Sequence, residues 1–284
     1  MFLVTGATGK LGRHVIEGLL KKVPAGQIIA AVRDPQKAAD LAAKGVQVRP
    51  ADYGRPETLA AAFAGATRVL LISSSEVGQR IAQHRAVVEA ARKAGVRLLV
   101  YTSILRADSS GLALAAEHKA TEQLIRDSGL PFVFLRNGWY LENYTENLAP
   151  ALAHGALVGS SGEGRVAAAS RADYAAAAVE VLTGTGHDNR VYELAGDTAF
   201  TLSELAAEVS RQSGRSIVFK NLPPAQHQGV LEQAGVPGAF AGILVDSDQG
   251  AGRGELNDAS GQLGRLIGRP TTRLADAVAA AVRH

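Results

Sequence analysis

Along the first 136 positions, short apolar runs alternate with longer amphipathic stretches. The runs at residues 2–4, 27–32, 46–49, 68–72, 97–101 and 132–135 are near-continuously apolar rather than strictly alternating, which predicts strands buried on both faces of a parallel sheet. Between them lie helical periods. In the first, Leu11, Val15 and Leu19, flanked by Ile16 and Leu20, recur at helical spacing. The second opens on Asp34-Pro35, an N-cap followed by proline at the first helical position, and stops before Gly45. A third follows Pro56, a fourth covers about 77–94 before Gly95, and a fifth about 115–128 before Gly129. Glycine after the last periodic residue is the expected helix stop. Six such β-α units predict an α/β fold, a doubly wound parallel sheet of Rossmann type with helices on both faces.

Beyond residue 137 the pattern loosens. Residues 155–164 are rich in glycine and serine and read as a loop or hairpin. A helix is expected from about Ser170, opened by Ser170 and Asp173 at capping-box spacing. Residues 191–194 read as a strand, and Thr201 with Glu204 as the cap of a further helix. The tail from Asn221 mixes Pro, Gly and Gln with short helical pieces. The expected organisation is a dinucleotide-binding domain over 1–136, with the chain returning to it around 166–197. A smaller α/β substrate domain, mostly 137–284, is expected to pack on it across a cleft.

Composition removes several alternatives. The 284 residues are 46% hydrophobic and 20% charged, an ordered globular mix. No apolar run approaches the ~20 residues of a membrane helix. Met1 leads straight into strand-like Phe2-Leu3-Val4, so no secretory signal is read and a cytoplasmic protein is expected. With no cysteine, disulfides, thiolate chemistry and Cys-ligated metals drop out. Thirty Lys+Arg against 27 Asp+Glu give +3 with no basic stripe, so no nucleic-acid groove is expected. The seven histidines (14, 84, 118, 154, 187, 227 and 284) are too dispersed for a local metal motif.

The first strand runs into Gly6-Ala7-Thr8-Gly9-Lys10-Leu11-Gly12 just before the first helix. Helix N-termini favour phosphate because free N–H groups and the helix dipole point at it. Gly6 would allow the tight turn, Gly9 close approach to a pyrophosphate, and Gly12 close packing of helix on strand. A plain glycine turn is the alternative, disfavoured by this placement at the first β-α junction. The second strand ends Val32-Arg33-Asp34. Asp34 is occupied as an N-cap, whereas Arg33 could clamp a 2′-phosphate or simply be solvated. NADPH is therefore favoured, with NADH the alternative. Asp52 and Tyr53 would flank the adenine, unless Asp52 is only a turn residue. Ser73, Ser74 and Ser75 leave the fourth strand at its carboxyl end and would line ribose and nicotinamide, or satisfy loop backbone.

The glycine turn, Ala51-Asp52-Tyr53, Tyr101-Thr102-Ser103 and the stretch Leu135-Arg136-Asn137-Gly138-Trp139-Tyr140 resemble the NmrA-like branch of the atypical short-chain dehydrogenases. The run Ser73–Arg80, Arg171-Ala172-Asp173-Tyr174 and the ending Leu266–Thr272 resemble its bacterial NAD(P)H:quinone oxidoreductases of type 2, relatives of triphenylmethane dye reductase. The resemblance implies two domains, NADPH without flavin, and a quinone-type acceptor; no metal is expected from the dispersed histidines, and a homo-oligomer is left open. It places cofactor contacts on Gly6, Thr8, Gly9, Lys10, Leu11, Arg33, Ser73–Ser75 and the segment from Asn137.

One pair is absent. Short-chain dehydrogenases that reduce simple ketones carry Tyr-x-x-x-Lys on the fifth helix. Aligned through Glu122, this chain has Leu114 and His118 there, with Lys119 one residue out of register. His118 reads as a functional remnant or as a solvated helix residue. A quinone tolerates the loss, because hydride gives a hydroquinone anion far less basic than an alkoxide, which water or a nearby hydroxyl can protonate. Orientation then matters most. Trp139, the single tryptophan, with Tyr140 and Tyr144, offers flat faces for an acceptor, ordinary core packing being the alternative. Asn137 and Gly138 would touch the nicotinamide side or shape the turn. The expected function is flavin-free quinone reduction by direct hydride transfer. The rivals are a non-catalytic NADP(H) sensor and a reductase of other conjugated electrophiles such as dyes.

Overall fold

The computed structural model describes residues 1–283; His284, one of the seven histidines, lies outside them. The chain runs β1 (Phe2–Thr5), α1 (Lys10–Leu20), β2 (Ile28–Val32), α2 (Ala39–Ala43), β3 (Gln47–Pro50), α3 (Leu59–Phe63), β4 (Arg68–Leu71), α4 (Arg80–Lys93), β5 (Leu98–Ile104), α5 (Ala115–Asp127) and β6 (Phe132–Asn137). It continues through α6 (Glu142–Thr145), α7 (Ala149–His154), β7 (Ala156–Gly159), α8 (Arg171–Thr183), β8 (Arg190–Leu194), α9 (Leu202–Ser213), β9 (Val218–Asn221), α10 (Pro224–Gln233), α11 (Gly238–Gly252), α12 (Gln262–Ile267) and α13 (Leu274–Val282).

Seven strands form one sheet in the order β3-β2-β1-β4-β5-β6-β8, and every neighbouring pair among β1–β6 is parallel. All residues of β2, β5 and β6 are buried, which is why their sequences do not alternate. On one face Leu3, Ile29, Val69, Leu99 and Phe134 meet Phe63, Val87, Ala91 and Ile125 from α3, α4 and α5. On the other, α8 lies against β4, β5 and β6 and packs on α1. The doubly wound parallel fold expected from the sequence is therefore the fold observed. The strand order reverses between β1 and β4, the place where such sheets leave a crevice at their carboxyl ends.

The chain separates into two compact units. Unit 1 holds Met1–Ala107, Ala116–Asn137 and Arg171–Tyr192; unit 2 holds Asp108–Ala115, Gly138–Ser170 and the chain from Glu193 onward. Within unit 2 the glycine- and serine-rich stretch is a strand followed by the expected loop, and it forms no hairpin. Its residues Ala156–Gly159 form β7, paired in parallel with distant β9 from Ala156↔Val218 to Gly159↔Asn221. A hairpin returns locally and antiparallel, whereas this partner comes from far along the chain. The expected cap at Thr201 is present: Glu204 N–H donates to Thr201 Oγ1 (3.1 Å) and Thr201 N–H to Glu204 Oε2 (2.8 Å).

Candidate cofactor site

The turn after β1 is built on Gly6, whose φ of +59° lies in the left-handed region. Gly9 N–H closes the turn on Gly6 O at 2.9 Å, and Arg13 N–H reaches Gly9 O at 3.0 Å to start α1. The helix has no side-chain cap at Gly9, and a helix start of that kind suits a phosphate. A Cβ on Gly12 would lie 2.4 Å from Gly6 O and 2.8 Å from Ala7 Cα. The close approach at Gly12 is thus to the backbone of the turn itself.

Gly6, Thr8, Gly9, Arg33, Asp52, Tyr53, Ser73, Ser74 and Ser75 all line one cavity of about 650 Å³ in unit 1, a volume suited to a cofactor. Lys10 is exposed on α1 outside that lining, and Leu11 and Gly12 are buried behind it. Asp34 caps the turn after β2, accepting from Gln36 N–H at 3.0 Å, and also faces the cavity. Asp52 does hold a turn, accepting from Gly54 N–H at 2.9 Å, without leaving the lining. The Tyr53 hydroxyl meets Thr5 Oγ1 and the Ile72 carbonyl, tying the ends of β1 and β4 together beneath the cavity.

The serine loop is fixed by its backbone. Ser73 N–H donates to Thr102 Oγ1 (2.8 Å), Ser74 N–H to His84 Nε2 (2.9 Å), and Arg80 Nε to Ser74 O (2.8 Å). Because Nε2 of His84 accepts, its proton sits on Nδ1, 2.9 Å from Thr121 Oγ1, which passes its own to Glu117 O at 2.8 Å. Burial, then the Arg80 guanidinium, pushes the His84 pKa down to about 3, so the ring stays neutral.

His118 corrects an expectation. It is buried rather than solvated, with Nδ1 2.7 Å from the hydroxyl of fully buried Tyr101. Burial, then Arg80 and His84, holds its pKa well below the ordinary histidine range. Beside it Glu122 takes Arg136 Nε (2.9 Å), Arg136 Nη2 (2.7 Å) and the Ser103 hydroxyl (2.7 Å), a buried ion pair with its oxygens satisfied. The two positions that would carry Tyr and Lys are a half-buried leucine, Leu114, and this histidine.

The remaining cofactor candidates, Asn137 and Gly138, and the acceptor candidates Trp139, Tyr140 and Tyr144 divide between the two units. Asn137 ends β6 in unit 1, buried, with its side-chain Oδ1 lacking a hydrogen-bond partner. Gly138, Trp139, Tyr140 and Tyr144 belong to unit 2 and do not line the cavity of unit 1. Gly138 N–H donates to Leu194 O (2.7 Å), Tyr140 bridges to Ala169, and Tyr144 meets Phe200 edge-on at 5.6 Å between ring centres. Burial pushes the Tyr144 phenol well above its ordinary range.

Sequence reasoning missed Glu76, Gln83, Arg13 and Lys37, which also line the cavity. Arg13 carried a signal, a cation in the first turn of α1; it bonds Asp40 Oδ2 and Lys37 O, each at 2.7 Å. Glu76 Oε1 sits 3.1 Å from Arg33 Nη1, and its Oε2 accepts from Gln83 Nε2 at 2.8 Å.

The residues present suit a dinucleotide: a helix start without a side-chain cap, a turn left-handed at Gly6 with no room for a side chain at Gly12, and a guanidinium at the tip of β2. The whole-chain comparisons agree. Residues 6–185 match the family model described as NAD(P)H-binding, and the chain belongs to that family. Within it, the chain is 53% identical over 278 residues to quinone oxidoreductase 2 of Escherichia coli strain K12, covering 98% of this chain and 97% of that one. The crystal structure of the NADPH-dependent quinone oxidoreductase QOR2 of E. coli with NADPH superposes with a TM-score of 0.96 at 52% identity, over 99% of both chains. Triphenylmethane reductase of Citrobacter sp. with NADP(H) gives 0.95 at 42%, over 99% of this chain and 100% of that one. The resemblance read from the motifs is borne out.

Proposed function

We propose that this chain is an NAD(P)H:quinone oxidoreductase that prefers NADPH and works without flavin or metal. Near-full-length identity to a quinone oxidoreductase, on a chain whose unit 1 holds a dinucleotide-sized cavity with Arg33 at its edge, carries the reading. Among the described residues no cluster of three or more His, Cys, Asp or Glu could hold a metal, and no helix is long and apolar enough to cross a membrane. A cytoplasmic location belongs to the same reading.

The bound nicotinamide supplies a hydride, and the balance is quinone plus NADPH plus one proton giving hydroquinone plus NADP⁺. The chain's own residues supply placement. In this reading Gly6, Thr8, Gly9 and the first turn from Lys10 to Gly12 hold the pyrophosphate. Arg33 takes the 2′-phosphate, and Asp52 and Tyr53 border the adenine. Ser73–Ser75 and Asn137 with Gly138 orient the ribose and nicotinamide side, with the Asn137 Oδ1 left open to accept from an amide. Trp139, Tyr140 and Tyr144 are assigned to the flat acceptor. No tyrosine–lysine acid pair is required, because the hydroquinone anion is a weak base that water can protonate.

The test is purified protein with NADPH and a panel of small benzoquinones, followed by loss of nicotinamide absorbance. Catalytic oxidation is expected; no turnover with any quinone would overturn the proposal. The likeness to triphenylmethane reductase favours dyes as a second acceptor class, and dyes belong in the same panel. A sensor would bind both redox forms of the cofactor and consume neither.

A further inference from the structure

The carboxylate of Glu76 has no place in the dinucleotide reading, yet it lines the same cavity as Arg33 and is tied to it. It is held from more than one side. Oε1 pairs with Arg33 Nη1 at 3.1 Å, Oε2 accepts from Gln83 Nε2 at 2.8 Å, and the Glu76 N–H donates to Ser74 Oγ at 3.1 Å. Gln83 is itself nine-tenths buried, so the arm that steadies the carboxylate is anchored in the body of unit 1. A carboxylate held on one guanidinium nitrogen takes up a donor that a phosphate could use, and it repels a phosphate brought close.

We infer that Glu76 is a specificity-determining residue, an internal acid that competes with the cofactor's 2′-phosphate for Arg33 and so narrows the preference for NADPH over NADH. This rests on the dinucleotide reading of the cavity. A 2′-phosphate has to share Arg33 with Glu76 and meets its negative charge, whereas a 2′-hydroxyl leaves the pair undisturbed. The Arg33 and Glu76 side chains are 69% and 49% exposed, so the competition is modest and screened by salt.

The test is direct titration of wild type and Glu76→Gln with NADPH and NADH, read by nucleotide fluorescence without any acceptor. Glu76→Gln should tighten NADPH by roughly 3- to 10-fold while moving NADH less than about 2-fold, with the gain shrinking as salt is raised. In an Arg33→Ala background the same substitution should give a smaller gain for NADPH. Unchanged NADPH affinity, or equal weakening of both nucleotides as expected if Glu76 merely braces the serine loop, overturns the inference while leaving the cofactor site standing. Wild type that binds neither nucleotide overturns the dinucleotide reading and this inference with it.

Discussion

At the scale of single residues, the glycine turn after β1 allows the sharpest forecast. A methyl group on Gly12 would sit 2.4 Å from Gly6 O, against backbone that cannot swing aside like a side chain. Gly12→Ala should cost about 1–3 kcal/mol of stability through overpacking. It should also weaken NADPH at least about tenfold, since prising the turn from the helix start moves the N–H groups proposed to hold the phosphate. Thermal unfolding and nucleotide titration check this; wild-type values for both would refute the close-packing account. Gly12, Gly6 and Arg33 were legible because their information is local, in glycine spacing and a cation at a strand tip. Glu76 was not, because its meaning lies in a partner 43 residues away. His118 misled for a similar reason: on a helix rich in charge it looks solvated, and only Tyr101, on β5, shows that it faces inward.

Elements explain what holds those residues in place. Strands β5 and β6 each reach further than their apolar runs predict, through Thr102–Ile104 and Arg136–Asn137. Polar residues there look like loop, but Thr102 receives Ser73 N–H and Arg136 is matched by Glu122, so both are buried at no net polar loss. The segment Asp108–Ala115 likewise gave no sign in sequence of belonging to unit 2, where Gly111 N–H bonds Glu255 Oε2 and Ala113 N–H bonds Asp246 Oδ2, both at 2.8 Å. The loop–strand link at Thr102 is testable. Thr102→Val keeps the shape and leaves Ser73 N–H without its acceptor, for a loss of about 1–3 kcal/mol. Because the serine loop lines the cavity, NADPH affinity should fall several-fold as well. Thr201→Ala is the contrast: it removes one arm of the capping box on α9 in unit 2 and should cost about 1 kcal/mol, with NADPH affinity unchanged. Equal effects of the two substitutions on NADPH would show that the serine loop is not held through Thr102.

For the molecule as a whole, the neutral buried histidines set how stability depends on pH. His84 titrates at about 3 and His118 well below 6.5 in the native state, because both are buried beside Arg80, whereas both take up a proton near 6.5 once unfolded. As pH falls below about 6.5 the unfolded chain therefore binds more protons than the native one, so stability must drop, and above that pH it is fully retained. Each histidine contributes a limiting slope of about 1.4 kcal/mol per pH unit, and the pair about 2.7, down to the native pKa of each. His227 does not simply add a third share. It lies 3.6 Å from Asp248 Oδ2, and burial raises that carboxyl while lowering the imidazole, so the two shifts act with opposite sign. Lowered surface carboxylates such as Asp40, bonded to Arg13, add to the loss only at lower pH, through their own range. Urea unfolding at pH 7, 6, 5.5 and 5 should show the free energy falling ever more steeply below neutrality. His118→Gln, which cannot titrate, should reduce that slope toward half, whatever it does to stability at pH 7. A slope unchanged by the substitution would mean that His118 exchanges its proton freely in the native state.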